Sequence, residues 1–355
     1  MTKSLIIKLG AIGDVAMALP AVRALADNGT QIDWVCGNAA TPLLQCFGWV
    51  KVISVDDSKL IHGSKVEKFL ELLHFWKQLA GQQYDLVATL HYDKRYRLLS
   101  LPAFAERRLF LDSDVRNNAL LAERHHTDEY ARVLLSALGE REKGYTPQSI
   151  APLRPDRLPA TPIPRRSSTP RVVILPGGAK NTVRDDALRR WPLDSYVELS
   201  ARLIKRGWEV ILAGSDGDRW VESAFECLPI VNTVGCYTIP QLIALLDDSD
   251  VLITHDTGPL HLAGMTNVGV VSIFGPTNPW GRLPRRSESV AIWGGEGFAC
   301  RPCYDGRNFA PCQFNGCMQQ VTTEMVLREL DSLLERRANG VPSPPKIVLP
   351  EAFCR

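Results

Sequence analysis

Residues 5–25 read LIIKLGAIGDVAMALPAVRAL: an apolar run, two glycines, an acid, then apolar positions recurring at helical spacing. The pattern predicts a buried strand, a tight turn and a helix opening at Val15. It resembles a dinucleotide fingerprint only superficially. Gly10 and Gly13 lack a third glycine at the required spacing, and a pyrophosphate on this helix end would meet the charge of Asp14. Two roles remain for Asp14: a cap for its own helix, or a base on a loop tip facing an interdomain cleft.

Outward from this unit the same alternation continues. Strands are expected at 5–9, 32–37, 50–55 and 84–90. A helix is expected over 65–80, where Val66, Phe69, Leu70, Leu72, Leu73 and Trp76 recur. From Thr146 to Pro170 the text turns to proline, serine and arginine without apolar periodicity, which marks a linker. After it the pattern restarts with RVVILPGG (171–178), an amphipathic helix ending at Gly207, and the apolar runs WEVILAGS, LPIVNTV, DVLITHD and VGVVSIFGPT. Strands this uniformly apolar are buried on both faces, as in parallel sheets covered by helices. The expected architecture is α/β, with two doubly wound, Rossmann-like domains. The first spans 1–150, a proline-rich linker 151–170, and the second 171–330 with a cysteine-rich loop at 298–318. The helix end and a loosely held tail occupy 331–355.

At 355 residues, 45% hydrophobic and 23% charged, the composition is that of a globular chain with room for two domains. No uncharged apolar run of roughly eighteen residues is present, so no transmembrane helix is expected. Lys8 and Asp14 beside the first strand argue against a signal peptide, and a cytoplasmic location is the expectation. A net charge of +2 makes non-specific nucleic-acid binding unattractive.

Ligands of open parallel sheets bind beyond the carboxyl ends of the strands. The run THDTGPLHLAG (254–264) follows an apolar strand, and Pro259 fits the first turn of a helix. Backbone N–H groups near Thr257 and Gly258 would receive a phosphate, while a merely capped helix is the plainer alternative. A second glycine loop, Phe274-Gly275-Pro276-Thr277, follows the next strand. Gly177 and Gly178 end the domain's first strand, and Lys180, Arg184, Arg189 and Arg190 precede Trp191-Pro192. Cations there could neutralise a departing phosphate without a metal ion.

GAIGD, the basic stretch ending RRWP, HDTGPLHLAG with IFGPTNP, and the cysteine segment together resemble glycosyltransferase family 9, the heptosyltransferases of lipopolysaccharide core assembly and their relatives. The resemblance runs in consistent order from about residue 4 to 330. It implies the GT-B fold, with two Rossmann-like domains facing a central cleft, and inversion at the anomeric carbon without a catalytic cofactor. It implies a nucleotide-sugar donor such as ADP-heptose and a lipid-linked or lipopolysaccharide-core glycan acceptor, with peripheral contact at the inner face of the inner membrane. By the same carry-over Asp14 is the base, and Asp256, Thr257, Gly258, Pro259 and His261 hold the donor diphosphate. The family usually has lysine two residues before Trp-Pro; here that position is Arg189, so either Arg189 or Lys180 meets the phosphate.

Cys300, Cys303, Cys312 and Cys317 lie within eighteen residues. Their spacing fits structural zinc or iron, free thiols or a disulfide. Arg95 and Arg97, with Lys94, Arg107 and Arg108, form either a solvated helix face or an attractor for an anionic acceptor. His125 and His126 read as surface and capping residues. Other enzymes on the same architecture fit less well: an epimerase needs further acids, and an oxidoreductase needs the missing glycine fingerprint. Relatives acting on protein, O-antigen or capsule acceptors, and a non-catalytic sugar-nucleotide-binding protein, are further alternatives.

Overall fold

The computed structural model describes residues 2–111, 125–137, 152–165, 168–180, 184–305, 308–341 and 343–350. Two compact units meet in sequence at Arg157 and Leu158.

The first unit is built on strands β1 (Thr2–Ile7), β2 (Thr30–Gly37), β3 (Val50–Val55), β4 (Gln83–Thr89) and β5 (Phe104–Phe110). Its helices are α1 (Ile12–Asp27), α2 (Thr41–Leu44), α3 (Asp57–His62), α4 (Lys65–Leu79) and α5 (His126–Leu135). All strands pair in parallel, in the order β3-β2-β1-β4-β5. One core layer joins Leu5 and Ile7 of β1 to Val35, Ile53, Val87 and the inner face of α4 at Phe75 and Leu79. Helix α4 starts sharply because Ser64 and Glu67 form a reciprocal capping box.

The second unit has strands β6 (Arg171–Ile174), β7 (Glu209–Leu212), β8 (Val231–Asn232), β9 (Val251–His255), β10 (Gly269–Phe274), β11 (Ser289–Trp293) and β12 (Lys346–Val348). Helices α6 (Leu193–Lys205), α7 (Ile239–Asp247), α8 (Gly258–Ala263), α9 (Gly316–Gln319) and α10 (Thr323–Ala338) accompany them. The sheet is again parallel, ordered β12-β11-β10-β9-β6-β7-β8. Apolar clusters cover both of its faces, as the uniformly hydrophobic strands require. Arg171 is fully buried at the start of β6. It pairs with Glu209 (2.7 Å) and Asp248 (2.8 Å) and donates to the carbonyl of Ile163 (2.8 Å), so it pins part of the proline-rich stretch to this unit.

Three sequence expectations are corrected. Helix α1 begins at Ile12 with Ala11 as its cap, so Asp14 sits inside the first turn and caps nothing. The basic stretch is no helix face: a 3-10 turn covers Lys94–Ser100 and strand β5 carries Arg107 and Arg108. Pro102 stands between them, where a continuous helix would lose a hydrogen bond and clash. The tail is partly ordered, because β12 pairs with the otherwise open edge of β11 and Lys346 Nζ meets Glu329 at 2.9 Å. Residues 351–355 lie outside the described residues.

Candidate active site

In each unit the first strand is flanked by strands reached in opposite directions, β2 and β4 around β1, β7 and β9 around β6. Loops leaving such a switch point form the usual ligand crevice of an open parallel sheet. The motif residues at 10–14, 177–180 and 256–261 all fall there.

In the first unit, Asp14 lies in the first turn of α1, just after the loop that leaves β1, with its side chain 32% exposed. Lys8, almost completely buried where β1 ends, places its ammonium 3.1 Å from Asp14 Oδ2 and over the Tyr130 ring at 5.3 Å. His126 Nδ1 stands 3.9 Å from Asp14 Oδ1. Burial works against the charge of Asp14, yet Lys8 and then His126 outweigh it and hold the carboxyl well below the usual carboxylate range. The group is therefore ionised at neutral pH and able to accept a proton. His125 caps α5, its ring accepting from Thr127 N at 3.1 Å, as the sequence suggested, but it is buried and not a surface residue. The approach of His126 to Asp14 was not foreseen.

In the second unit, Asp256 is buried between two arginines: Arg189 Nη1 lies 3.3 Å away and Arg282 Nε 3.6 Å. Burial opposes its ionisation, but Arg282 and Arg189 prevail and keep it far below the ordinary range. Arg189 also meets Asp186 at 2.6 Å. His255 donates or accepts through Nδ1 with the Tyr196 hydroxyl at 3.1 Å; burial, aided by the Arg189 charge, pushes its pKa down to about 3, so the ring is neutral. Thr257 does not cap α8. Its hydroxyl accepts the Ala179 N–H at 2.9 Å, and Gly258 and Pro259 open the helix. Among the described residues no acceptor takes the N–H groups of Thr257 and Gly258. His261 is buried on the same short helix.

The glycines at the end of β6 serve packing. Gly178 has φ +80°, and a Cβ there would fall 2.4 Å from Thr257 Oγ1; one on Gly177 would fall 2.5 Å from Asp218 Cγ. The Gly178 N–H already donates to Asp218 Oδ1 at 2.7 Å, so this loop holds the Asp256–Gly258 turn in place and does not itself offer its amide to a phosphate. Lys180 is exposed and makes no ion pair among the described residues, whereas Arg189 is engaged by two carboxylates. Arg190 grips the Gly178 carbonyl at 2.9 Å.

The cysteine segment packs on the neighbouring loops. Tyr304 N–H donates to Pro276 O at 3.1 Å, and a Cβ on Gly275 would lie 2.7 Å from Cys317 Sγ. Burial pushes the Cys317 thiol up to about 11. Cys312 Sγ accepts Asn315 N–H at 3.2 Å. Among the described residues, however, no three Cys, His, Asp or Glu side chains, Cys300 and Cys303 included, converge as metal ligands would. On the basic stretch of the first unit, Arg95 pairs with Asp93 at 2.6 Å and Arg97 lies over Phe110 at 4.0 Å.

Lys8, Arg282, His126 and Asp218 were missed as site residues. Lys8 had a signal, a lone charge within an apolar strand; the others become visible only through the strand order.

Two Rossmann-like parallel units, each with its charged loops at the switch point of its sheet, define the GT-B class of glycosyltransferase fold. Residues 72–312, more than half of the sequence, match the profile of glycosyltransferase family 9 (heptosyltransferase), and the chain belongs to that family. It is 25% identical over 294 residues to the lipopolysaccharide core heptosyltransferase OpsX of Haemophilus influenzae, covering 79% of this chain and 80% of that protein. With lipooligosaccharide heptosyltransferase 2 of the same organism it is 27% identical over 155 residues, which span 42% of this chain and only 44% of that relative. In structure it resembles Escherichia coli ADP-heptose lipopolysaccharide heptosyltransferase II (TM-score 0.68, 20% identity, 95% of this chain and 100% of that one). It also resembles the iron-containing dodecameric glycosyltransferase TibC of enterotoxigenic Escherichia coli (TM-score 0.60, 13% identity, 95% and 80%). At these identities the structural likeness shows the fold alone.

Proposed function

We propose that the chain is an inverting, metal-independent heptosyltransferase that moves heptose from ADP-heptose to a lipopolysaccharide core or related lipid-linked glycan. The observation that carries this reading is the ionised, partly exposed Asp14 held by Lys8, in a chain of family 9. An acceptor hydroxyl is a poor nucleophile. Asp14 takes its proton as the oxygen attacks the anomeric carbon, and the C–O bond to the diphosphate breaks with the electron pair leaving on ADP. General-base help of this kind is worth roughly 100- to 10,000-fold. The leaving diphosphate is received by the N–H groups of Thr257 and Gly258, which have no acceptor among the described residues, with Lys180, unpaired among those residues, as the mobile cation and Arg189, Arg282 and Asp256 as the frame.

The iron of TibC raises the question of a resident metal. Among the described residues the four cysteines do not converge on one centre, and Cys317 packs as a half-buried thiol against Gly275, so the cysteine segment is not read as a resident metal site.

The test is direct. Asp14→Asn and Asp14→Ala abolish ADP release and transfer while binding of ADP-heptose, read by calorimetry, is retained. Transfer at near wild-type rate in Asp14→Ala removes Asp14 from the mechanism. A donor panel of ADP-sugars and UDP-sugars, read by thermal shift, selects the nucleotide.

A further inference from the structure

Helix α4 carries two apolar faces. The inner one, Phe75 and Leu79, is in the core. The outer one, Val66, Phe69 and Leu70 at i, i+3 and i+4, is more than half exposed. The stripe continues toward Trp76, whose indole Nε1 donates to the Leu98 carbonyl at 3.1 Å, and so onto the turn that presents Leu98, Leu101 and Phe104. Those three side chains are 49%, 58% and 67% exposed. Among the described residues, six of the twelve exposed large apolar side chains fall within residues 66–104. Single exposed leucines need no explanation, but six on two packed segments form a patch.

The segment that carries this patch has a basic surplus. Residues 65–110 hold eight Lys and Arg against five Asp and Glu, enough to account for the whole chain's net charge of +2. Lys65, Lys77 and Lys94 have no ion-pair partner among the described residues. The acids of α4 face backbone donors instead: Glu67 accepts the Ser64 N–H at 2.8 Å and Glu71 the Asp56 N–H at 3.1 Å. No helix among the described residues is long and apolar enough to cross a membrane.

From this juxtaposition we infer that the outer face of α4 and the turn at 98–104 form a docking surface for an anionic lipid bilayer, with Val66, Phe69, Leu70, Leu98, Leu101 and Phe104 entering the headgroup boundary and the flanking lysines meeting lipid phosphates. A protein partner or a second copy would bury the apolar residues equally well. It would not account for a surplus of unpaired lysines around them, which anionic headgroups match. The surface acts on the membrane whatever sugar the chain transfers.

The experiment is co-sedimentation of the full-length chain with vesicles of pure phosphatidylcholine and of phosphatidylcholine mixed with phosphatidylglycerol, without donor or acceptor. Binding to the mixed vesicles, weakened by salt, is expected, with little binding to the neutral ones. Phe69→Glu or Leu101→Glu reduces partitioning roughly tenfold or more each, and Lys65→Gln or Lys94→Gln roughly fivefold. Thermal melting and near-UV circular dichroism confirm that the variants are folded. Equal binding to neutral and anionic vesicles, or full binding by the folded Phe69→Glu and Leu101→Glu proteins, overturns the inference. So does a wild-type dimer that Phe69→Glu dissolves while vesicles capture nothing. Because no sugar transfer is read, failure here leaves the glycosyltransferase reading intact, and failure of that reading leaves this one intact.

Discussion

Replacing Lys8 by methionine removes one charge beside Asp14 and keeps the length of the buried side chain. At the observed 3.1 Å a pair of unit charges is worth roughly 1 kcal/mol at the dielectric constant of water and roughly 5 kcal/mol at an effective value near 20. Asp14 is 32% exposed, so solvent screens the pair and a value of about 2–3 kcal/mol is appropriate. In the wild type the folded pKa is depressed, so the carboxylate stays charged as pH falls through the ordinary range near 4. In Lys8→Met only His126 still opposes the burial penalty, and the pKa of Asp14 rises. The acid limb of kcat/KM for ADP release moves up with it. Lys8→Arg keeps the charge and leaves the limb near its wild-type position. A folded Lys8→Met protein with an unmoved acid limb would refute the reasoning. Either Lys8 does not hold Asp14, or Asp14 is not the group whose ionisation limits the rate.

Further outcomes follow from the second unit. Asp256→Ala strips Arg189 and Arg282 of their shared carboxylate and costs about 3–5 kcal/mol in urea unfolding at neutral pH. Since the native pKa of Asp256 is depressed, that stabilisation is complete above the unfolded value near 4 and fades as pH falls through the native one, so the gap between wild type and variant narrows in acid. Gly178→Ala must hold a left-handed backbone and push against Thr257 Oγ1; a loss of about 1–3 kcal/mol is expected, with weaker ADP binding by calorimetry, and unchanged ADP affinity would show that the Thr257 turn does not seat the diphosphate. Protein purified without chelators should contain less than about a tenth of an equivalent of zinc or iron by elemental analysis, and a full equivalent would show that the cysteine segment rearranges around a metal.

The alternation of apolar runs and amphipathic stretches made the parallel, doubly wound character of both units readable, because a parallel strand buried on both faces cannot hide its composition. The strands read at 50–55 and 84–90 agree with Val50–Val55 and Gln83–Thr89 to within a residue. Three strands escaped, one of them Ser289–Trp293, a short apolar run that was passed over. Phe104–Phe110 is an edge strand rich in arginine, and Lys346–Val348 is a three-residue edge at the end of the sheet, so neither is apolar enough to be read from composition. The site was legible only where a loop motif announced it. Asp14, Asp256, Thr257 and Gly258 could be marked from sequence, but their partners could not. Lys8 and His126 are separated by well over a hundred residues and meet at Asp14 only because α1 and α5 pack together. Arg282 reaches Asp256 only because β10 lies beside β9.

Two acids, Asp14 and Asp256, follow strands at the switch points of the two sheets, and both are kept charged by neighbouring cations. Their exposure separates their roles. A base must reach the proton it takes, and Asp14 keeps 32% of its side chain open whereas Asp256 keeps 2%. Asp256 also faces two guanidinium groups, which makes protonation far harder than it is beside the single ammonium of Lys8. A buried carboxylate in that position fixes Arg189 and Arg282 beside the amides of Thr257 and Gly258, where the proposed mechanism puts the departing diphosphate. The two asparagine variants should therefore fail differently. Asp14→Asn stays folded and binds donor but does not turn over, whereas Asp256→Asn loses stability and ADP affinity before any effect on proton transfer can be read. A stable Asp256→Asn protein with normal ADP affinity and no turnover would reverse the assignment.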